Sequence, residues 1–144
     1  MTLCRRWVIE AMKAITIYQP WATLIAHGHK QFETRSWATR YRGNIAIHAS
    51  KRWTKEEQRW AIAYSQMYPD LTPILNDMPF GAVIVACKLI DCIPTEIVRA
   101  ELTNREKVFG NYQDNRFAWK FEIVKHPPNP IIATGQQGIW EWNP

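Results

Sequence analysis

Long hydrophobic runs are missing from this 144-residue chain. The longest reaches only from Gly81 to Cys87, far short of the roughly 20 residues a membrane-spanning helix needs, so no membrane partner is expected. Cysteine is scarce as well. Cys4, Cys87 and Cys92 are odd in number and lack metal or redox spacing, which argues against a disulfide framework and for free thiols in a reducing cytosol. The six glycines form neither a phosphate-cradling loop nor a dinucleotide fingerprint, so no cofactor is expected. His27-Gly28-His29 has no acidic or cysteine cluster beside it, so no metal is expected either. Repeats, linkers and low-complexity tracts are absent, leaving one domain with room for a real core. No apolar signal core follows Arg5-Arg6, and residues 1–11, ahead of Met12, read as an N-terminal extension or alternative start before a domain over residues 12–144.

What is present is tryptophan and unevenly placed charge. The chain holds eight Trp and a net charge of +5. Between His27 and Trp60 stand Lys30, Arg35, Arg40, Arg42, Lys51, Arg52, Lys55 and Arg59 against Glu33, Glu56 and Glu57. That segment therefore carries the whole surplus, which an anionic partner needs. Trp ordinarily fills cores, but beside cations it also stacks on bases.

The pattern predicts a strand over Lys13 to Tyr18 and a helix from Pro20 to His27, stopped by Gly28 in a left-handed conformation. A strand follows at Gln31 to Arg35, and a half-buried one around Ile45 and Ile47. Thr54-Lys55-Glu56-Glu57 opens a helix to Met67, with a loop across Pro69 and Pro73. Gly81 to Ile93 reads as the longest strand, covered on both faces. A short helix at Glu96 to Leu102, a strand at Phe117 to Glu122 and a last strand at Gly138 to Trp142 complete the set. Strands outnumber the short, scattered helices, which favours a small mixed-strand barrel plugged by helices.

Four groups of residues carry chemistry. On an extended segment Glu33 and Arg35 share a face, and Lys30 swings toward it from the preceding turn. Such a group binds phosphate or a base edge, moves protons, or forms a structural ion pair. His48 and Ser50 point the same way, with Lys51 next to them. His48 exchanges protons near neutral pH, or is a satisfied structural histidine. Arg40-Tyr41-Arg42 before Gly43, and Arg116 with Trp119, form cation–aromatic strips that suit phosphates and unstacked bases. The bland alternative is an edge strand blunted by charge.

In chain order stand Ile17-Tyr18-Gln19-Pro20-Trp21-Ala22, Gly28-x-Lys30-x-x-Glu33-x-Arg35, Tyr41-Arg42-Gly43-x-Ile45-Ala46-Ile47-His48-Ala49-Ser50, Phe109-Gly110-x-Tyr112, Arg116-Phe117-Ala118-Trp119 and Gly138-Ile139-Trp140. Together they resemble the ASCH (activating signal cointegrator homology) domains, from about Lys13 to Trp142. The resemblance implies an α+β, PUA-like fold: a small β-barrel of mixed strands flanked by short helices. It also implies a cleft lined by Lys30, Glu33 and Arg35, in a family whose relatives bind RNA. Functions in that family divide among RNA binders or coactivator modules, RNA-cleaving proteins, and amidohydrolases on N4-acetylcytidine. The amidohydrolases carry Gly-x-Lys-Thr-x-Thr, whereas Gln31 and Glu33 stand at the two threonine positions here. Lys30 is retained, the threonine nucleophile is missing, and Thr34 falls on the opposite strand face.

The leading expectation is a module that binds single-stranded RNA, or a nucleotide flipped from it, in a basic cleft. Lys30, Arg35 and Arg42 neutralise phosphate, Glu33 accepts from a base amino group, and Tyr41, Ser50, Lys51, Arg116 and Trp119 complete the surface. The rival is a hydrolase. As a metal-independent ribonuclease it would use Glu33 or His48 as base and Lys30 to stabilise the phosphorane; as an amidohydrolase it would act on a modified nucleoside. Nothing in the pattern sets an oligomeric state.

Overall fold

Ile45 through Ala49 are buried at five consecutive positions, and the remaining strands are arranged around them. A computed structural model describes residues 10–144. Strand β3 (Gly43–Ala49) runs parallel to β1 (Met12–Ile17) and antiparallel to β4 (Ala82–Pro94). β5 (Phe117–Lys125) continues from β4, and β2 (Phe32–Arg35) from β5. β7 (Ile139–Trp142) flanks β1 on the other side, and the two-residue β6 (Ile131–Ile132) pairs with the start of β4. The order is thus β2-β5-β4-β3-β1-β7, a mixed seven-stranded sheet. A side chain ties the first strand in that order to the one before the last, since Arg35 on β2 donates to the Thr16 carbonyl on β1 at 2.9 Å. With short helices packed against it, this is the α+β, PUA-like architecture expected.

The interior holds Ile15 and Ile17 from β1, Ile45 and Ile47 from β3, Val85 and Leu89 from β4, and Trp119 and Phe121 from β5. Their period of two puts them on one face. β3 was expected to be half-buried, but its other face is covered too. Ala46 packs with Ala14, Val83, Trp140 and Trp142, and His48 meets the Trp140 ring edge-on. Residues far along the chain thus close a face that alternation left open. In β4 both faces are covered from Ala82 to Ala86, whereas Lys88 and Ile90 reach solvent.

α1 (Trp21–Ala26) joins two cores: Ala22 and Ile25 enter the strand interior, while Leu24 packs with Tyr64, Leu71, Leu75 and Phe109. It ends as expected, at Gly28 with φ +77°. The reversal lets the backbone N–H groups of His29 and Lys30 both donate to the Leu24 carbonyl, turning Lys30 inward. α2 (Lys55–Met67) begins where the capping pattern placed it, but the Thr54 hydroxyl donates to the Glu57 carboxylate instead of capping a backbone N–H. The expected loop after it contains a 3₁₀ turn at Pro69–Leu71 and α3 (Thr72–Leu75), because proline is tolerated in a first helical turn. The helix expected at Glu96 to Leu102 is α4 (Thr95–Val98) followed by a 3₁₀ turn at Arg99–Glu101. α5 (Asn104–Val108) was missed, although Thr103 accepts from the Glu106 backbone N–H in the spacing that signals a capped start.

Among the described residues no helix is long and apolar enough to cross a membrane. Cys87 and Cys92 are free thiols. Cys4 and all of the expected extension except Glu10 and Ala11 lie outside the described residues.

Candidate functional site

Because β1 and β3 are parallel, their C-terminal ends open on the same side, and a cleft of about 1280 Å³ lies there. Thr16 to Tyr18 and the segment from His48 to Lys51 supply its floor, Glu33 and Arg35 one rim, and α2 another through Trp60 and Tyr64. The Val108–Asn111 segment and the loop Thr134–Gly138 close it.

The charged rim is built by hydrogen bonds. Arg35 donates to Glu33 at 3.2 Å as well as to Thr16, so its guanidinium is fixed in orientation. Arg116 donates to the carbonyls of Asn111 and Thr34. Facing the same space is an aromatic group. The Trp21 indole N–H donates to the Tyr64 hydroxyl, which donates to the Val108 carbonyl. Trp60 lies tilted against both, with centroids 6.4 Å from Trp21 and 5.7 Å from Tyr64. Burial raises the Tyr64 phenol to about 12, so it stays neutral. Trp37 and Trp60 both line the cleft and remain about two-fifths exposed.

His48 is fixed differently. Its Nε2 lies 2.6 Å from the Ala133 carbonyl, which can only accept, so Nε2 carries a proton. Its Nδ1 lies 3.2 Å from the Thr16 hydroxyl, which in turn accepts from the Trp140 indole N–H. The Thr16 proton is therefore free to point at Nδ1. Burial lowers the His48 pKa against the pull of the Ala133 bond, and the Lys51 charge lowers it further. The ring is a neutral tautomer with both nitrogens engaged.

Lys30 stands behind the cleft wall. It is 2% exposed, and its ammonium donates to the Phe109 carbonyl at 2.7 Å. A side chain added at Gly110 would come within 3.4 Å of its Nζ, so it lies against the Phe109–Gly110 segment that lines the cleft without lining it itself. Burial lowers its pKa, opposed by Glu33 and Glu106. Glu106, which accepts from the Gln31 backbone N–H, is pushed up by burial against the attraction of Lys30. The Tyr112 hydroxyl and one Glu106 oxygen are buried there without a partner.

The ASCH domain model matches residues 15–127. The chain belongs to the ASCH domain family. Human and mouse activating signal cointegrator 1 are each 27% identical to it over 132 residues, covering 88% of this chain and 22% of theirs. The chain thus spans about a fifth of those relatives. The crystal structure of an ASCH protein from Zymomonas mobilis superposes with a TM-score of 0.52 at 14% identity, covering 91% of this chain and 87% of that one. A tyrosine-to-phenylalanine variant of it gives 0.52 at 15% identity, covering 91% and 89%. At such identity the likeness concerns the fold.

In this ASCH domain the cleft brings together Glu33, Arg35, His48, Ser50, Lys51 and Arg116 from the residues singled out in the sequence. It does not bring in Lys30, Tyr41, Arg42 or Trp119. Trp119 is fully buried and cannot stack on a base; its inward register on β5 puts it in the core. The Tyr41 ring packs against that core and its hydroxyl donates to the Asn44 carbonyl. Arg42 lies beside Asp91 at 3.7 Å. The regional charge also disperses: of the eight cations between His27 and Trp60, only Arg35 and Lys51 line the cleft, and Arg52 pairs with Glu56 and Glu57. With Arg116 against Glu33 and Glu56 the lining is weakly basic, not strongly so. Sequence reasoning missed Trp37, Trp60 and the Thr134–Gly138 loop. Trp60 was reachable, since it falls in the second turn of α2 on an exposed face. Among the described residues no cluster of three His, Cys, Asp or Glu is placed to hold a metal.

Proposed function

We propose that this ASCH domain binds single-stranded RNA, holding an unstacked nucleotide against the indoles of Trp37 and Trp60. The observation that carries the reading is that two partly exposed indoles line one cleft with fixed guanidinium groups. Every base has a π-face, and stacking on aromatic side chains is the common route to single-strand recognition. Arg35, Lys51 and Arg116 supply charge for phosphates, and Glu33 an acceptor for a base amino group. The cleft volume of about 1280 Å³ exceeds the roughly 300–1,000 Å³ of small-molecule pockets, which suits a short strand better than a free mononucleotide. A binding role also fits the committed state of the acid–base groups. Both His48 nitrogens are engaged, Glu33 is paired with Arg35, and Lys30 lies outside the lining. That arrangement favours binding over RNA cleavage or amide hydrolysis, the two hydrolase readings.

Titration of a labelled single-stranded RNA octamer by anisotropy tests the proposal. Trp60→Ala should weaken binding by about 1–3 kcal/mol, with the RNA recovered intact in EDTA. Unchanged affinity in both Trp37→Ala and Trp60→Ala would reject the stacking site. Protein-dependent cleavage, lost in Glu33→Gln, would replace binding with catalysis.

A further inference from the structure

Most polar groups in the cleft already serve the protein. Glu33 and Arg35 hold each other, Arg116 holds two carbonyls, His48 holds Ala133, and Ser50 accepts from the Arg52 backbone N–H. Lys51 and the Thr134–Gly138 loop are exceptions. Gln136 and Gln137 line the cleft, are exposed, and their side-chain amides have no partner among the described residues.

The backbone beneath those amides is anything but loose. The Ala133 N–H donates to the Gly81 carbonyl at 3.1 Å, and its carbonyl accepts from His48. Gly135 lies so close to β1 and β3 that an added side chain would meet the Thr16 hydroxyl at 2.8 Å and the His48 ring at 2.9 Å. The loop closes at Gly138, φ +67°, before β7. A pinned backbone with free amides suits a reading element, because only the two side chains and not the loop have to be ordered on binding.

We infer that the Thr134–Gly138 loop selects the base, with the amides of Gln136 and Gln137 reading the edge of a nucleotide stacked in the cleft, and that the base selected is adenine. The inference rests on the RNA-binding reading above. A carboxamide offers a donor beside an acceptor, which complements adenine on both its Watson–Crick and its Hoogsteen edge. Cytosine, uracil and guanine set a donor beside an acceptor only on their Watson–Crick edges, and guanine's O6/N7 edge needs two donors, the arginine pattern. Adenine is the base whose two edges can both take a carboxamide, one from each glutamine.

The test uses oligouridine octamers with one central position changed to A, C or G, in competition against a labelled octamer. Wild-type protein should prefer the A-containing strand by about tenfold, the size of one good bidentate contact. The double variant Gln136→Ala/Gln137→Ala should lose that preference, and Gly135→Ala, which displaces the loop while keeping both amides, should reduce it. Gln66→Ala, an exposed amide outside the cleft, should keep it. No preference, preference for another base, or preference surviving the double variant overturns the inference. Where any of these occurs while Trp60→Ala still weakens binding, the RNA-binding cleft stands and only the reader is wrong. If wild-type protein binds none of the strands, both fall.

Discussion

Trp37 and Trp119 touch edge-on, with ring centroids 4.6 Å apart and planes at 87°, yet one is fully buried and the other 39% exposed in the cleft. The Trp119 indole even donates to the Trp37 carbonyl. Their difference lies in the backbone that carries them. Trp119 sits on β5 with its inward neighbour Phe121, so the sheet's alternation commits it to the core. Trp37 sits just past the end of β2, where no register applies. The same division separates Lys30, sealed behind Phe109, from Lys51 in the cleft. One member of each pair builds the fold, and the other is left exposed in the cleft.

The largest effect expected is on stability. Trp119→Ala should cost about 3–5 kcal/mol, read as a shift in the denaturant midpoint, and should abolish binding only through unfolding. Lys30→Ala should cost a similar amount, because it takes the donor from the Phe109 carbonyl and the attracting charge from buried Glu106. If Lys30→Ala proved as stable as wild type yet bound RNA poorly, Lys30 would belong with the ligand-facing residues and the comparison would break. Trp37→Ala should do the reverse of Trp119→Ala: nearly unchanged stability, and binding weaker by about 1–3 kcal/mol.

A subtler division is set by protonation. The folded His48 pKa is lowered below 6.5 by burial, so the unfolded chain takes up a proton that the folded one refuses. The stability this group contributes is present above about pH 6.5 and is lost as pH falls through the folded pKa, by at most about 1.4 kcal/mol per pH unit. His27, also lowered by burial, acts with the same sign, and Glu106, raised by burial, with the opposite one. Both remain when His48→Gln is compared with wild type in thermal melts from pH 7 to 5.5, so the difference in slope belongs to His48. Parallel slopes would mean that His48 takes up its proton as readily in the folded protein as in the unfolded chain, so that burial does not lower its pKa.

Much of the fold was legible because it is local. β-branched alternation placed β1, β2 and β3, and Gly28 marked the left-handed stop of α1. The Glu33–Arg35 pair followed from a spacing of two on a strand. What alternation cannot say is which face turns inward, so Trp119 was chosen for stacking and Trp37 passed over. Summed charge misled for a related reason. Arg52 is neutralised by Glu56 and Glu57 a turn away, and Arg42 leans toward Asp91, about a third of the chain distant. The Thr134–Gly138 loop has no period at all. Its shape is set by Thr16 and His48, more than eighty residues earlier, and only the folded chain brings them under Gly135.

The smallest effect separates the two lysines. Lys51 has no anionic partner among the described residues and lines the cleft, so its charge is available to a phosphate. Each phosphate neutralised on a single strand adds about 0.7 to the slope of log affinity against log salt. Lys51→Ala should therefore flatten that slope by about 0.7, with stability unchanged, since an exposed lysine contributes little to folding. A slope that stayed the same would place the phosphates along Arg35 and Arg116 alone, and would move the strand's path away from the end of β3.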